Sequence, residues 1–101
     1  TAAGRLEFAA PDRDAFPCLG LAYRALGAER SLPVVLNAAN EVAVAWFLAG
    51  RIAFPAIAEV IRRTMDEHQP AEVSTIAQVR AVDHAARGRA EAIARGVELQ
   101  V

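Results

Sequence analysis

Leu36-Asn37-Ala38-Ala39-Asn40-Glu41-Val42-Ala43-Val44 lies inside an almost uninterrupted apolar run from Leu32 to Leu48. A helix that is apolar on every side is expected to be buried. Two amides and a carboxylate carried into a core must then find hydrogen-bond partners, or they cost free energy. Asn37, Asn40 and Glu41 stand at i, i+3 and i+4, so all three share one helix face.

The ends of this helix are marked in the flanking residues. Ser31 suits the N-cap, Pro33 suits the first turn, and Gly50 suits the stop, which predicts a central helix over 32–49. Upstream, Pro17 opens a helix over 17–27, with Leu19, Ala22, Tyr23 and Leu26 at helical spacing and Gly27 as its end. Residues 1–12 read as an extended arm, in which the alternation Leu6-Glu7-Phe8 points Leu6 and Phe8 the same way.

Downstream, Arg51 to Phe54 form a connector, and Pro55 restarts a helix over 55–68. Its apolar stripe is Ala56, Ile57, Val60, Ile61, Thr64 and Met65, and its solvated face is Glu59, Arg62, Arg63, Asp66 and Glu67. Gln69-Pro70 breaks it. Ser74 or Thr75 is expected to cap a short helical piece over 75–79, and Asp83 to cap a last helix over 84–95, ended by Gly96. The sum is an all-α fold: one small bundle of about four helices with an extended N-terminal arm.

Composition agrees with this. The 101 residues fit one domain, and 54% are apolar while only 6% are aromatic. Such an alanine-rich core suits closely packed helices better than sheets. The net charge is -1, and all eleven basic residues are scattered arginines, so no nucleic-acid footprint is expected. Cys18 is the only cysteine, which rules out an internal disulfide and fits a reducing cytoplasm. No uncharged apolar run is long enough to span a membrane, and no signal peptide stands at the front. The chain opens on Thr1 rather than Met, as expected of a processed chain or of a fragment.

The chemical motifs are few. Gly4, Gly20, Gly27, Gly50, Gly88 and Gly96 form neither GxGxxG nor a phosphate loop. His68 and His84 stand alone, and Asp66-Glu67-His68 splay around their helix, so no metal ligand set is expected. His68 suits a helix C-terminus. Cys18 lies at a helix N-terminus, which can lower a thiol pKa, but inert packing is the better expectation. Arg87, Arg89 and Arg95 are balanced by Asp83 and Glu91 and read as a solvated face. Asn37, Asn40 and Glu41 could in principle orient a carboxylate for acid–base work. With no nucleophile or oxyanion partner in view, they read better as a polar patch that fixes a neighbouring segment or domain.

These residues also carry a resemblance. The asparagine-containing stretch, followed by Phe47-Leu48, Gly50-Arg51-Ile52 and Phe54, resembles the C-terminal domain of 1-deoxy-D-xylulose 5-phosphate reductoisomerase. So do Leu6-Glu7-Phe8, Pro11-Asp12, Phe16-Pro17-Cys18-Leu19 and Leu21-Ala22 upstream. Ile57-Ala58-Glu59-Val60-Ile61, Val82-Asp83 and Ala86-Arg87 fit downstream.

The resemblance implies a piece of a larger enzyme, which turns 1-deoxy-D-xylulose 5-phosphate into 2-C-methyl-D-erythritol 4-phosphate. That family uses NADPH and a divalent cation such as Mg²⁺ or Mn²⁺, in the non-mevalonate route to isoprenoids. It implies missing N-terminal and central domains as partners, a homodimeric whole enzyme and a cytoplasmic location. No nucleic acid or membrane is implied. Catalytic, cofactor-binding and metal residues are then all expected outside this chain, and the chain alone is expected to be inactive. The alternatives are a free-standing helical protein-interaction module and a small enzyme using Glu41. A further expectation is that the face carrying Trp46 and Phe47 leaves apolar surface exposed once its partners are removed, favouring dimerisation by exchange of the arm.

Overall fold

The computed structural model describes residues 17–26 and 30–99. The expected arm at 1–12 and the stop at Gly27 lie outside the described residues. Four helices follow one another: α1 (Pro17–Leu26), α2 (Leu32–Leu48), α3 (Phe54–Glu67) and α4 (Ile76–Gly96). Helix α2 packs against the other three, and α3 packs against α1 and α4. The α2–α3 pair is thus the middle of the bundle, with α1 on one side and α4 on the other.

Helix α2 is more one-sided than its composition suggests. Leu32, Val35, Ala38, Ala39, Val42, Ala43 and Trp46 are buried. Asn37, Asn40 and Glu41 share a face, as their spacing requires, but that face is exposed. The expectation that they are buried is corrected. The reason is alanine, which makes a helix apolar in composition without giving it bulk. Ala45 lies exposed beside the polar residues, where so small an apolar surface costs little.

Small side chains line the buried faces of α2 and α4. Ala38, Ala39 and Ala43 on α2, and Ala90 and Ala94 on α4, are each 0% exposed. Val35, Val60, Ile61, Met65 and Ile52 fill the remaining space.

The helix ends largely follow the proline and glycine punctuation. Gly50, at φ +77°, follows α2, in the left-handed conformation that glycine adopts without a Cβ clash. Helices α2 and α3 both carry proline in their first turn. Helix α4 departs from expectation: it is one continuous helix of 21 residues, not separate pieces at 75–79 and 84–95. Thr75 caps it, accepting from the Gln78 N–H while the Gln78 side chain accepts in return from the backbone N–H of Ser74 and of Thr75. Asp83 is no cap, because its carboxylate accepts from Arg87 one turn on, at 2.7 Å. The buried stripe Val82, Ala86, Ala90, Ile93 and Ala94 holds the helix through Gly88.

Ser31 is a second correction. It precedes α2 in helical conformation, and its side chain makes no cap. The hydroxyl is instead 0% exposed. It pairs with His68 Nε2 at 2.6 Å and accepts from the Ala71 N–H at 3.2 Å. One small side chain thereby joins the start of α2, the end of α3 and the loop to α4. Ser31→Ala is expected to lower stability by about 1–3 kcal/mol, since it strips partners from groups held out of water. Urea unfolding checks this, and an unchanged midpoint would deny the hydroxyl that role.

Trp46 is only 6% exposed, so the expected open Trp46–Phe47 face is corrected. Arg51 covers it, with Cζ 3.7 Å from the indole centroid. The Arg51 N–H donates to the Trp46 carbonyl, and the Leu99 N–H donates to the Arg51 carbonyl at 2.8 Å. The guanidinium also pairs with Glu98 at 2.9 Å, so the residues after α4 lie against the α2–α3 corner. Phe47 is half-buried and meets Phe54 edge-on at 5.5 Å. The exposed apolar side chains at this corner are Leu48 at 76% and Phe54 at 70%.

Candidate functional site

The polar face of α2 divides into two parts. Glu41 accepts from Arg87 Nη2 at 2.7 Å, and the same guanidinium donates to Asp83. Hydrogen bonds to Asp83 first, and to Glu41 second, push the Arg87 pKa above its ordinary value. The Glu41–Arg87–Asp83 group therefore clasps α2 to α4 at the surface. This is a poor setting for a general base, because the carboxylate is committed to a permanent cation. Exposed pairs of this kind contribute little stability, roughly 0–1 kcal/mol.

Asn37 and Asn40 form the other part. Among the described residues neither amide has a hydrogen-bond partner. They stand at the rim of a cavity of about 270 Å³, with Cys18, Ala22, Pro33, Leu36 and Ile61 as its other walls. The cavity thus lies where α1 begins, on the flank of α2 away from α4. Cys18 is exposed rather than packed away. Partial desolvation by neighbouring atoms pushes the thiol pKa up, against the lowering that a helix N-terminus can give.

The other residues singled out in the sequence fall on separate surfaces. His68 ends α3 against Ser31, whereas His84 lies exposed on α4. Arg89 pairs with Glu67 at 3.0 Å and Arg95 with Glu91 at 3.7 Å, as a solvated face requires. Among the described residues no three His, Cys, Asp or Glu side chains come together as a metal site. The Ser31–His68 pair was missed in the sequence, where the two are separated by 37 positions and no local pattern joins them.

The family model described as the DXP reductoisomerase C-terminal domain matches residues 1–89. The chain belongs to this family. It is 51% identical over 96 residues to the 1-deoxy-D-xylulose 5-phosphate reductoisomerase of Moorella thermoacetica, covering 95% of this chain and 25% of that protein. Against the reductoisomerase of Geotalea uraniireducens it is 58% identical over 83 residues, which is 82% of this chain and 22% of that one.

Among solved structures, the reductoisomerase from Zymomonas mobilis in complex with NADPH superposes with a TM-score of 0.80 at 42% identity. That match covers 85% of this chain and 23% of the other. The chain therefore corresponds to the C-terminal domain of the reductoisomerases and spans about a quarter of their length. Among the described residues no helix is long and apolar enough to cross a membrane.

Proposed function

We propose that this chain is the non-catalytic, C-terminal helical domain of an enzyme that converts 1-deoxy-D-xylulose 5-phosphate to 2-C-methyl-D-erythritol 4-phosphate. In that whole enzyme NADPH supplies hydride and a divalent cation, Mg²⁺ or Mn²⁺, assists; both are held by other domains of the same polypeptide. The whole enzyme is a cytoplasmic homodimer serving non-mevalonate isoprenoid biosynthesis. The observation that carries this reading is the extent of the match: nearly the whole chain aligns at 51% identity, yet it accounts for only 25% of the relative. The donor set agrees, since Glu41 is tied to Arg87.

The direct test is NADPH oxidation in the presence of 1-deoxy-D-xylulose 5-phosphate and Mg²⁺. The 101-residue chain is expected to show no turnover, and the whole enzyme to show it. Turnover by the chain alone would refute a purely structural domain.

In this reading the exposed Asn37 and Asn40 amides hold a neighbouring segment or domain. Asn40→Leu in the whole enzyme is then expected to lower stability by about 1–3 kcal/mol, the cost of leaving polar partners unpaired. Turnover per folded molecule should stay the same. Thermal unfolding and active-site titration separate the two effects, and a fully stable variant with lost turnover would reverse the assignment.

A further inference from the structure

We propose that the groove between α3 and α4 binds the phosphate group of a small phosphate ester, held by the Arg63 and Arg89 guanidiniums over a floor lowered at Gly88.

The first observation is an arginine without a counterion. Arg63 is half-buried on α3, and among the described residues its guanidinium makes no hydrogen bond or ion pair. The charges beside it on the helix are already committed. Arg62 pairs with Glu59 and Asp66. Glu67 stands one turn on from Arg63, a spacing that permits an ion pair, yet its carboxylate accepts from Arg89 at 3.0 Å. A cation held partly out of water costs free energy that a bound anion offsets.

The second observation is the space that this arginine lines. Arg63, Glu67, His84 and Arg89 border a groove of about 530 Å³, within the range of small-molecule sites, roughly 300–1,000 Å³. Two guanidiniums against one carboxylate leave an excess of positive charge there. Glu67 takes Nη1 of Arg89, while a guanidinium carries five N–H donors in a planar fork. Arg89 therefore has donors for an anion as well as for Glu67. Such forks match phosphate oxygens two at a time, and His84 adds a ring N–H on the same groove. A phosphate, with three free oxygens, uses donors from both helices at once; a carboxylate, with two, does not.

The third observation is Gly88. It lies inside α4, where glycine weakens a helix relative to alanine. Packing does not require it, because a Cβ at this position would meet no atom within 4 Å. Its φ is not in the left-handed region either, unlike that of Gly50. What the missing side chain leaves is depth in the groove that both arginines line, where a ligand approaches the helix closely. Ala85 and Ala92, a turn to either side, continue this low floor, and Ile93 lines it too. These give the carbon body of an ester an apolar surface.

The groove lies wholly in this chain and needs no catalysis, so the turnover assay and the following test fail independently. Phenyl phosphate is titrated into the isotope-labelled 101-residue chain at constant pH and ionic strength and followed by NMR. The amide signals of Gly88, Arg89 and Ala92 and the Arg63 Nε–H signal are expected to shift and saturate. Inorganic phosphate should move the same signals with weaker affinity. Arg63→Gln should weaken phenyl phosphate binding about tenfold or more, the effect of losing a charge-assisted hydrogen bond. Gly88→Leu should weaken it as much by filling the floor, yet melt no lower than the parent, since leucine favours the helix. Arg62→Gln removes a charge that is already paired beside the groove, and should leave binding unchanged. Equal losses in Arg62→Gln and Arg63→Gln would overturn the proposal, as would the same shifts from sodium chloride, because either makes the attraction diffuse surface charge. Equal affinity for inorganic phosphate and phenyl phosphate would overturn it as well, by denying the ester's body any contact.

Discussion

Trp46→Ala is expected to lower the unfolding free energy by about 3–5 kcal/mol, the range for truncating a large buried aromatic side chain. The indole is 6% exposed and closes the end of the core between the C-terminus of α2 and the loop to α3. Its removal leaves a void that the corner cannot collapse into, because Gly50 and Arg51 are fixed there by hydrogen bonds to Phe47 and Trp46 carbonyls. It also strips the Arg51 guanidinium of its aromatic face, loosening the contact that holds Glu98.

For a domain of this size, each kcal/mol moves Tm by roughly 4–8 °C. The variant should therefore melt tens of degrees lower, against a total stability of about 5–15 kcal/mol. Circular dichroism in urea measures it, since the fluorophore itself is lost. Trp46→Phe keeps a ring in place and should lose distinctly less. A Trp46→Ala loss under ~1 kcal/mol would mean that the indole is not part of the core.

Ala90→Leu acts in the opposite sense, by filling space that does not exist. Ala90 is 0% exposed on α4, a helix that packs against both α2 and α3. Three added carbons force the helices apart or drive a side chain off its rotamer, at a cost of about 1–3 kcal/mol or more. Leucine and alanine are both strong helix formers, so helix propensity does not explain a loss of that size. Ala92→Leu, two residues on and exposed, is the control, expected within about 0.5 kcal/mol of the parent. Thermal melts of the two variants side by side decide the matter. Equal melting temperatures would refute close packing around Ala90.

Much of this fold was legible in the sequence because proline and glycine act locally. Pro17, Pro33, Pro55 and Gly50 mark helix ends through their own backbone restrictions, whatever the rest of the chain does. The shared face of Asn37, Asn40 and Glu41 followed equally from helical geometry alone. The errors lie where a choice between partners is made across the fold. Asp83 is as good an N-cap as it is a partner for Arg87, and the continuous apolar stripe through Val82 and Ala86 settled that competition. Ser31 had a local use at α2 and a distant one at His68, and its burial at the meeting of three elements selected the distant one. The exposure of Asn37 and Asn40 was hidden by alanine, which scores as apolar yet tolerates water. The Glu41–Arg87 clasp was not legible, because only the packing of α2 on α4 supplies it.

The order of the helices has a consequence for how the domain is made. Helix α2 is covered on one flank by α4, which follows it by more than two dozen residues. A chain growing from its N-terminus therefore presents α2 and α3 before their cover exists. Their alanine- and valine-lined side then stands open to water, and to other half-made chains, until Val82 through Ala94 emerge. Slow translation between Met65 and Ile76 would prolong that interval, and chaperone capture of nascent chains should peak there and fall once Arg95 is clear of the ribosome.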